Sequence, residues 1–210
     1  MVRYPSSVRR RLLAWLALVP LAPVAFAQKR LVPTPAQTEG PFYPRELPAD
    51  RDGDLTRVAG RNGVAQGTVL YLTGAVLRHD GKPLSGARIE LWQCDALGAY
   101  HHVGGSGQED PNFQGYGAVT AEADGRFAFK TIRPVPYLGR MPHLHVKLAH
   151  PTAVPLTTQL YVAGDSAAGD GVARGSGGEV QARLTMALAP AAGREAGAVQ
   201  ASYTFVLAER

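Results

Sequence analysis

A tyrosine and two histidines stand within nine consecutive positions near the middle of this 210-residue chain, at Tyr137, His143 and His145. Imidazole nitrogens and phenolate oxygens are metal ligands, and hard phenolate oxygens favour a highly charged ion. Alternate side chains of a β-strand share a face, so both histidines can point at one ion while Leu144 enters the opposite layer. With a single cysteine in the chain, a thiol-rich zinc or iron–sulfur site is excluded. This pattern favours ferric iron over copper or zinc.

The first 27 residues have the pattern of a secretory signal. They contain a basic start with four arginines, an apolar run over Leu12–Ala22, and the small-x-small sequence Ala25-Phe26-Ala27. Pro20 and Pro23 interrupt a run that is already short for a membrane span. We therefore expect residues 1–27 to be removed on export to the periplasm or the cell exterior, leaving no stable membrane anchor.

The charge balance of the remaining chain is nearly even. The sequence has 22 Lys and Arg against 17 Asp and Glu, and removal of the four leader arginines leaves 18 against 17. This balance gives no electrostatic reason to bind nucleic acid or an anionic membrane.

The lone Cys94 cannot form an internal disulfide, so an exported chain depends on its core or on a bound metal. Arg9–Arg11 leave the twin-arginine export route open beside the general one.

The mature chain divides into an arm and one domain. Residues 28–67 are rich in proline, glycine and charge and indicate an extended N-terminal arm, whereas residues 68–210 are long enough for a single domain. Short β-type segments with turn signals between them run through that domain. They are Val69–Leu77, Ala87–Gln93, Arg126–Ile132, His143–Leu148, Thr157–Val162, Val180–Leu188 and Ser202–Leu207. Gly164–Gly178 indicates a polar surface loop. An all-β fold, an antiparallel β-sandwich with long loops, is predicted.

Five sequence blocks, spread along the chain, together form a recognisable pattern. They are Thr38–Pro44, Leu91–His101, Asp110–Gly117, Thr131–Tyr137 and Arg140–His145. In this order the blocks resemble the intradiol ring-cleavage dioxygenases, the group similar to protocatechuate 3,4-dioxygenase. With Thr158–Tyr161 the resemblance covers most of residues 38–162. Only Leu138–Pro142 separates the second tyrosine from the first histidine, which resembles the secreted, single-chain branch and not the better-known members with a longer insertion there.

The resemblance implies an all-β sandwich that holds a non-haem Fe(III) between two tyrosines and two histidines. Carried over by position, these metal ligands are Tyr100, Tyr137, His143 and His145. Arg140 matches the arginine that stabilises charge developing on the substrate ring, and Gln159 matches a glutamine near that arginine. Tyr137 also matches a catalytic tyrosine, one that leaves the iron when substrate binds and helps to take up its proton.

The implied activity is that of an oxidoreductase of aromatic compound catabolism. It cleaves a catechol-type ring with O2, between the two hydroxyl-bearing carbons, to a muconate-type diacid. Two phenolates lower the net charge at iron and keep it ferric, so the metal acts as a Lewis acid on the substrate. The partners are a small catechol-type molecule and O2, and a homo-oligomer is compatible with the sequence.

Two other classes of protein remain open at this point. Transthyretin-like β-sandwiches share the implied architecture but serve as non-catalytic binding modules, and a fold does not determine a function. A copper or zinc oxidoreductase would instead combine His143 and His145 with His101 or His102. Tyr100 is preferred to these two neighbours because a neutral histidine brings no negative charge to the metal.

Overall fold

A computed structural model describes residues 30–103, 108–165 and 169–210. The predicted leader lies outside these ranges. Within them, nine strands and two short helices build two facing β-sheets. The strands are β1 (Val69–Arg78), β2 (Arg88–Trp92), β3 (Tyr116–Thr120), β4 (Arg126–Ile132), β5 (His143–Ala149), β6 (Leu156–Val162), β7 (Thr185–Met186), β8 (Ala189–Pro190) and β9 (Val199–Leu207), and the helices are α1 (Gly171–Gly175) and α2 (Gly178–Arg183). No helix in the described part of the chain has the length and apolar character needed to cross a bilayer.

The strand order confirms the all-β sandwich. One sheet has the order β4-β1-β9-β8 and the other the order β3-β2-β5-β6-β7. Most neighbours are antiparallel, but β1 pairs with β9, and β6 with β7, in parallel. A parallel pair needs a crossover between its strands, which the helical segment after β6 supplies for β7. Both sheets are therefore mixed.

One hydrophobic core fills the space between the sheets. Alternate residues of β4, Phe127 and Phe129, are buried while Arg126 and Ala128 are exposed, as expected for a strand with one face in solvent. Strand β5 differs, because His143, Leu144 and His145 are all buried. Leu144 joins the core, and the histidines lie on the outer face, which the arm and loops cover at this end.

The N-terminal arm is fastened along both sheets. Its backbone donates hydrogen bonds from Thr34 N to Val206 O at 2.9 Å and from Gln37 N to Thr157 O at 2.9 Å. Further along, the carbonyl of Thr38 accepts a hydrogen bond from the β6 side chain Gln159 at 2.9 Å. The arm thereby crosses the histidine end of the second sheet.

Two predictions for the C-terminal third are wrong. Val180–Leu188, predicted as a strand, contains α2 and then β7, because Val180 and Leu184 share a helical face that packs beside Met141. A short apolar run does not distinguish strand from helix. Gly164–Gly178 is more than a polar surface loop, since it contains α1 and the fully buried Asp170. Strand β3 lies in the Asp110–Gly117 block and beyond it, where no strand was predicted.

Candidate metal centre

The structure brings together all four residues predicted to bind metal. Tyr100 comes from the loop after β2, Tyr137 from the turn before β5, and His143 and His145 from the start of β5. The ring centroids lie 5.2 Å apart for the two tyrosines, 4.7 Å for the two histidines, and 5.5 Å for Tyr137 and His143. The four rings therefore surround one small volume.

Both histidines present Nε2 to that volume. Nδ1 of His143 lies 2.6 Å from the carbonyl oxygen of Met141 and donates to it, which leaves the Nε2 lone pair free. Nε2 of His145 is 3.1 Å from Nε2 of His143. The His145 ring stacks on Trp92 with centroids 4.9 Å apart and planes 12° apart. Strand pairing places Trp92 directly opposite His145, so β2 fixes the orientation of this imidazole.

Tyr100 is held from two sides. Phe42 of the arm stacks on its ring with centroids 4.3 Å apart and planes 5° apart. Behind it, the buried carboxylate of Asp95 accepts hydrogen bonds from Leu97 N at 2.9 Å, Ala99 N at 3.0 Å and Asp110 N at 2.7 Å. Among the described residues, the Tyr100 hydroxyl has no hydrogen-bond partner of normal geometry. A buried hydroxyl without a partner is available to coordinate a metal ion.

A tight turn positions Tyr137 and Arg140. Arg140 N donates to Tyr137 O at 2.7 Å and Tyr137 N to Arg140 O at 3.3 Å. The two central residues, Leu138 and Gly139, have φ values of +44° and +77°, as two-residue hairpin turns of this kind require. Tyr137 and Arg140 consequently stand side by side at the edge of the cluster.

The guanidinium of Arg140 is fixed by two acceptors. Its Nη2 donates to Oε1 of Gln159 at 2.6 Å, and its Nε donates to Oδ2 of Asp170 at 2.9 Å. Strand pairing places Gln159 opposite His145. Arg140 and Gln159, which the resemblance associated with catalysis together with Tyr137, thus lie beside the four rings.

Burial favours the neutral form of these four side chains. Desolvation lowers the pKa of His143 to about 4 and that of His145 well below its usual value, so neither imidazole is protonated at pH 7. Desolvation raises the pKa of the Tyr100 and Tyr137 phenols, and the nearness of Tyr137 adds to the rise at Tyr100. Phenols in such a place ionise when a strong positive charge is next to them. The donor set therefore fits a highly charged cation.

The alternative set of three histidines does not form. His101 Nε2 lies 3.1 Å from Asp95 Oδ2, and His102 Nε2 lies 2.9 Å from Gln114 O. Over the described residues, no group of three or more His, Cys, Asp or Glu side chains is placed to hold an ion. A metal in this cluster depends on the tyrosines.

Sequence reasoning missed three residues of the site. Trp92 and Phe42 lay in sequence blocks without an assigned role, and Asp170 was placed in a surface loop. The spacing between Arg140 and Asp170 carries no signal, because their contact depends on how the segment after β6 folds back. For Trp92, a prediction that β2 pairs with β5 would have placed its ring next to His145.

Known proteins are similar to this chain over most of its length. A family model described as a dioxygenase matches residues 38–209. The protocatechuate 3,4-dioxygenase beta chain of Burkholderia cepacia is 34% identical over 172 residues, which cover 77% of this chain and 68% of that one. A catechol 1,2-dioxygenase of Candida albicans is 29% identical over 141 residues, or 58% of this chain and 45% of that one.

A solved structure gives the same picture. It is the dioxygenase domain of a dioxygenase and carbohydrate-binding protein fusion from Streptomyces sp. SirexAA-E, with 30% identity and a TM-score of 0.65. The match covers 85% of this chain and 100% of that domain. The chain spans about half the length of the catechol and hydroxyquinol 1,2-dioxygenases that it matches.

Proposed function

Because this chain belongs to the intradiol ring-cleavage dioxygenase family, we propose that it cleaves a catechol-type ring with O2 to a muconate-type diacid. The bond broken is the one between the two hydroxyl-bearing carbons. The observation that supports this proposal is the convergence of two tyrosines and two histidines at one end of the second sheet. The relatives named above act on protocatechuate and on catechol, so we propose only the class of substrate that these two share.

Fe(III) is the cofactor that we propose for this site. The residues that would hold it are Tyr100, Tyr137, His143 and His145. They offer two neutral imidazole nitrogens and two phenols that can ionise to phenolates. When bound, ferric iron supplies a Lewis acid that polarises a coordinated catecholate. Copper or zinc is less favoured because His101 and His102 make their hydrogen bonds elsewhere.

The chain's own side chains have distinct tasks in this proposal. Arg140 places a fixed positive charge beside the rings, where it stabilises negative charge that develops on the substrate. Gln159 holds one end of that guanidinium. Tyr137 is half-buried beside Arg140, and once a bound cation has ionised its phenol, the phenolate would accept a proton from a substrate hydroxyl. Phe42 and Trp92 cover Tyr100 and His145 and limit the access of water to them.

Turnover under ¹⁸O₂ tests the reaction. Iron-loaded protein is incubated with catechol, protocatechuate and hydroxyquinol, and products are identified by mass spectrometry. A muconate-type product that carries the label supports the proposal. A ring-opened semialdehyde would show cleavage outside the diol, and an unopened quinone would indicate copper-type chemistry. Protein that neither retains iron nor turns over any of the three would favour a non-catalytic binding module.

We also propose that the protein is exported and that its mature form begins near Gln28. The support is the sequence before this residue, a basic start, an apolar run and a small-x-small site. Intact-mass measurement on periplasmic or secreted protein tests this proposal, with a mass that starts near residue 28 as the expected result. Recovery of a full-length species that sediments with membranes would contradict it.

A further inference from the structure

We propose that Asp170 is a positioning residue for catalysis, one that sets the orientation of Arg140 and the backbone before His143 through a single carboxylate. This inference rests on the proposed function. It concerns a residue that lies 30 positions after Arg140 in sequence, in a segment between β6 and α1. Asp170 is fully buried, although acidic side chains are rarely so unless they are paired.

The two oxygens of Asp170 serve different parts of the molecule. Oδ1 accepts hydrogen bonds from Val172 N at 2.9 Å and Ala173 N at 3.0 Å, and so caps helix α1. Oδ2 accepts from Arg140 Nε at 2.9 Å and from Met141 N at 3.0 Å. The helix cap and the site contacts can therefore be separated by experiment.

Oδ2 connects to the four rings of the candidate metal centre along two short paths. In one, it holds the guanidinium of Arg140, whose other end is fixed by Gln159. In the other, it accepts a hydrogen bond from the backbone N–H of Met141, and the carbonyl oxygen of the same residue accepts one from Nδ1 of His143. Loss of Oδ2 as an acceptor frees the guanidinium to rotate about its remaining bond to Gln159.

Asp170→Asn isolates the site contacts. The amide oxygen can still cap α1, but the NH2 group that replaces Oδ2 meets the two donors of Arg140 and Met141 with donors of its own. We expect kcat to fall about 10- to 100-fold while KM changes less than about threefold, because Arg140 acts on the transition state. Asp165→Asn is the matched control, since Asp165 lies in the same segment but pairs with Arg133. Its kcat should stay at the wild-type value.

A double mutant separates positioning from general loss of structure. In an Arg140→Ala background, Asp170→Asn should lower kcat by a clearly smaller factor than it does alone, because only the contact with Met141 N is then left to lose. An undiminished effect in that background would overturn the proposal. So would a wild-type kcat in the single variant.

A measurement without turnover tests the anchoring itself. The Nε–H of Arg140, identified by its absence from Arg140→Lys protein, should exchange slowly with solvent and at least about tenfold faster in Asp170→Asn. Rapid exchange in the wild-type protein would overturn the proposal even if no Asp170 variant folds. Where Asp170→Asn fails to fold, Asp170→Ser retains a capping oxygen and lacks Oδ2. Wild-type protein that turns over no catechol would instead overturn the proposed function, and the exchange rates would still decide the anchoring.

Discussion

Tyr100 combines a tightly packed ring with a buried hydroxyl that lacks a partner among the described residues. Its side chain is only 7% exposed, and its hydroxyl finds no hydrogen-bond partner of normal geometry among the described residues. A buried hydroxyl without a partner costs about 1–3 kcal/mol of folding free energy. The aromatic ring, by contrast, is fully packed between Phe42 and its other neighbours. The hydroxyl and the ring can therefore be tested separately.

Tyr100→Phe should leave the metal-free protein as stable as wild type, or more stable by about 1 kcal/mol, because it removes the unsatisfied hydroxyl. The same variant should weaken or shift the visible charge-transfer band of the iron-loaded protein, because it removes one phenolate. Tyr137→Phe should also alter the band. Chemical denaturation and absorption spectroscopy provide the two measurements. Unaltered spectra in both variants would show that the tyrosines are not ligands.

At the scale of single residues, the sequence predicted which four rings meet but not the residues that support them. Tyr100, Tyr137, His143 and His145 could be proposed because a motif order carries them, and the structure brings them together. Asp170 could not, since its role is created by a fold-back that no local pattern encodes.

Between elements, the pairing of β2 with β5 carries the clearest consequence. Trp92 of β2 lies opposite His145 of β5 and stacks on its imidazole. Because this contact holds the ring in one orientation, Trp92→Leu should weaken iron binding about tenfold. Competition with a chelator measures that change. Phe129→Leu, a buried aromatic change in the other sheet, should lower stability and leave iron affinity unaltered.

The turn before β5 contains backbone strain. Leu138 has a φ of +44°, and it is the one non-glycine residue in the described ranges with a positive φ. Its side chain is 90% exposed, so it gains almost nothing from packing. A left-handed conformation costs a branched residue about 1–2 kcal/mol, and asparagine tolerates it better.

Leu138→Asn should therefore stabilise the protein by about 1 kcal/mol, which raises Tm by about 2–4 °C. The iron band should be unaltered, because the turn keeps its shape. Differential scanning calorimetry provides the measurement, with Val154→Asn, another exposed apolar site without a positive φ, as the control. If Tm falls in Leu138→Asn but not in the control, the leucine side chain contributes more stability through packing than its positive φ costs.

Strands with strict alternation were predicted well, and the segment after β6 was not. Arg126–Ile132 was predicted with the bounds that β4 has, because one face is buried and the other is in solvent. Val180 and Leu184 belong to a stretch that is too short to distinguish the helical period from the strand period. Packing beside Met141 selects the helix. Tertiary contact decided the outcome there.

For the molecule as a whole, the comparisons confirm the family that five ordered blocks indicated, and the two facing sheets confirm the sandwich. Neither tests the leader, which lies outside the described residues.

The stability of the whole molecule should depend on pH through Glu195, which joins the β8–β9 connection to the first sheet. Hydrogen bonds from Lys130 and then Tyr71 lower the pKa of Glu195 to about 2. A carboxyl with a depressed pKa in the folded state contributes its stability above its ordinary value of 4.5, and the contribution is lost as pH falls towards 2.

Glu195→Gln should thus unfold at lower urea concentration than wild type at pH 7, and the two midpoints should converge as pH falls from 4.5 towards 2. Added salt should reduce the difference at pH 7, because this ion pair is exposed. A difference that stays constant across that range of pH would contradict the assignment.

The parallel pairing of β1 with β9 determines when this protein can fold. These strands align from Leu70 with Val199 to Arg78 with Leu207, so about 130 residues must be synthesised between one partner and the other. Until β9 leaves the ribosome, the edge of β1 opposite β4 has no partner strand, and such an edge is a template for association with other chains. The first sheet is therefore completed only once β9 has emerged, on the slower timescale of β-sandwiches, and until then we expect the exposed edge of β1 to be open to association.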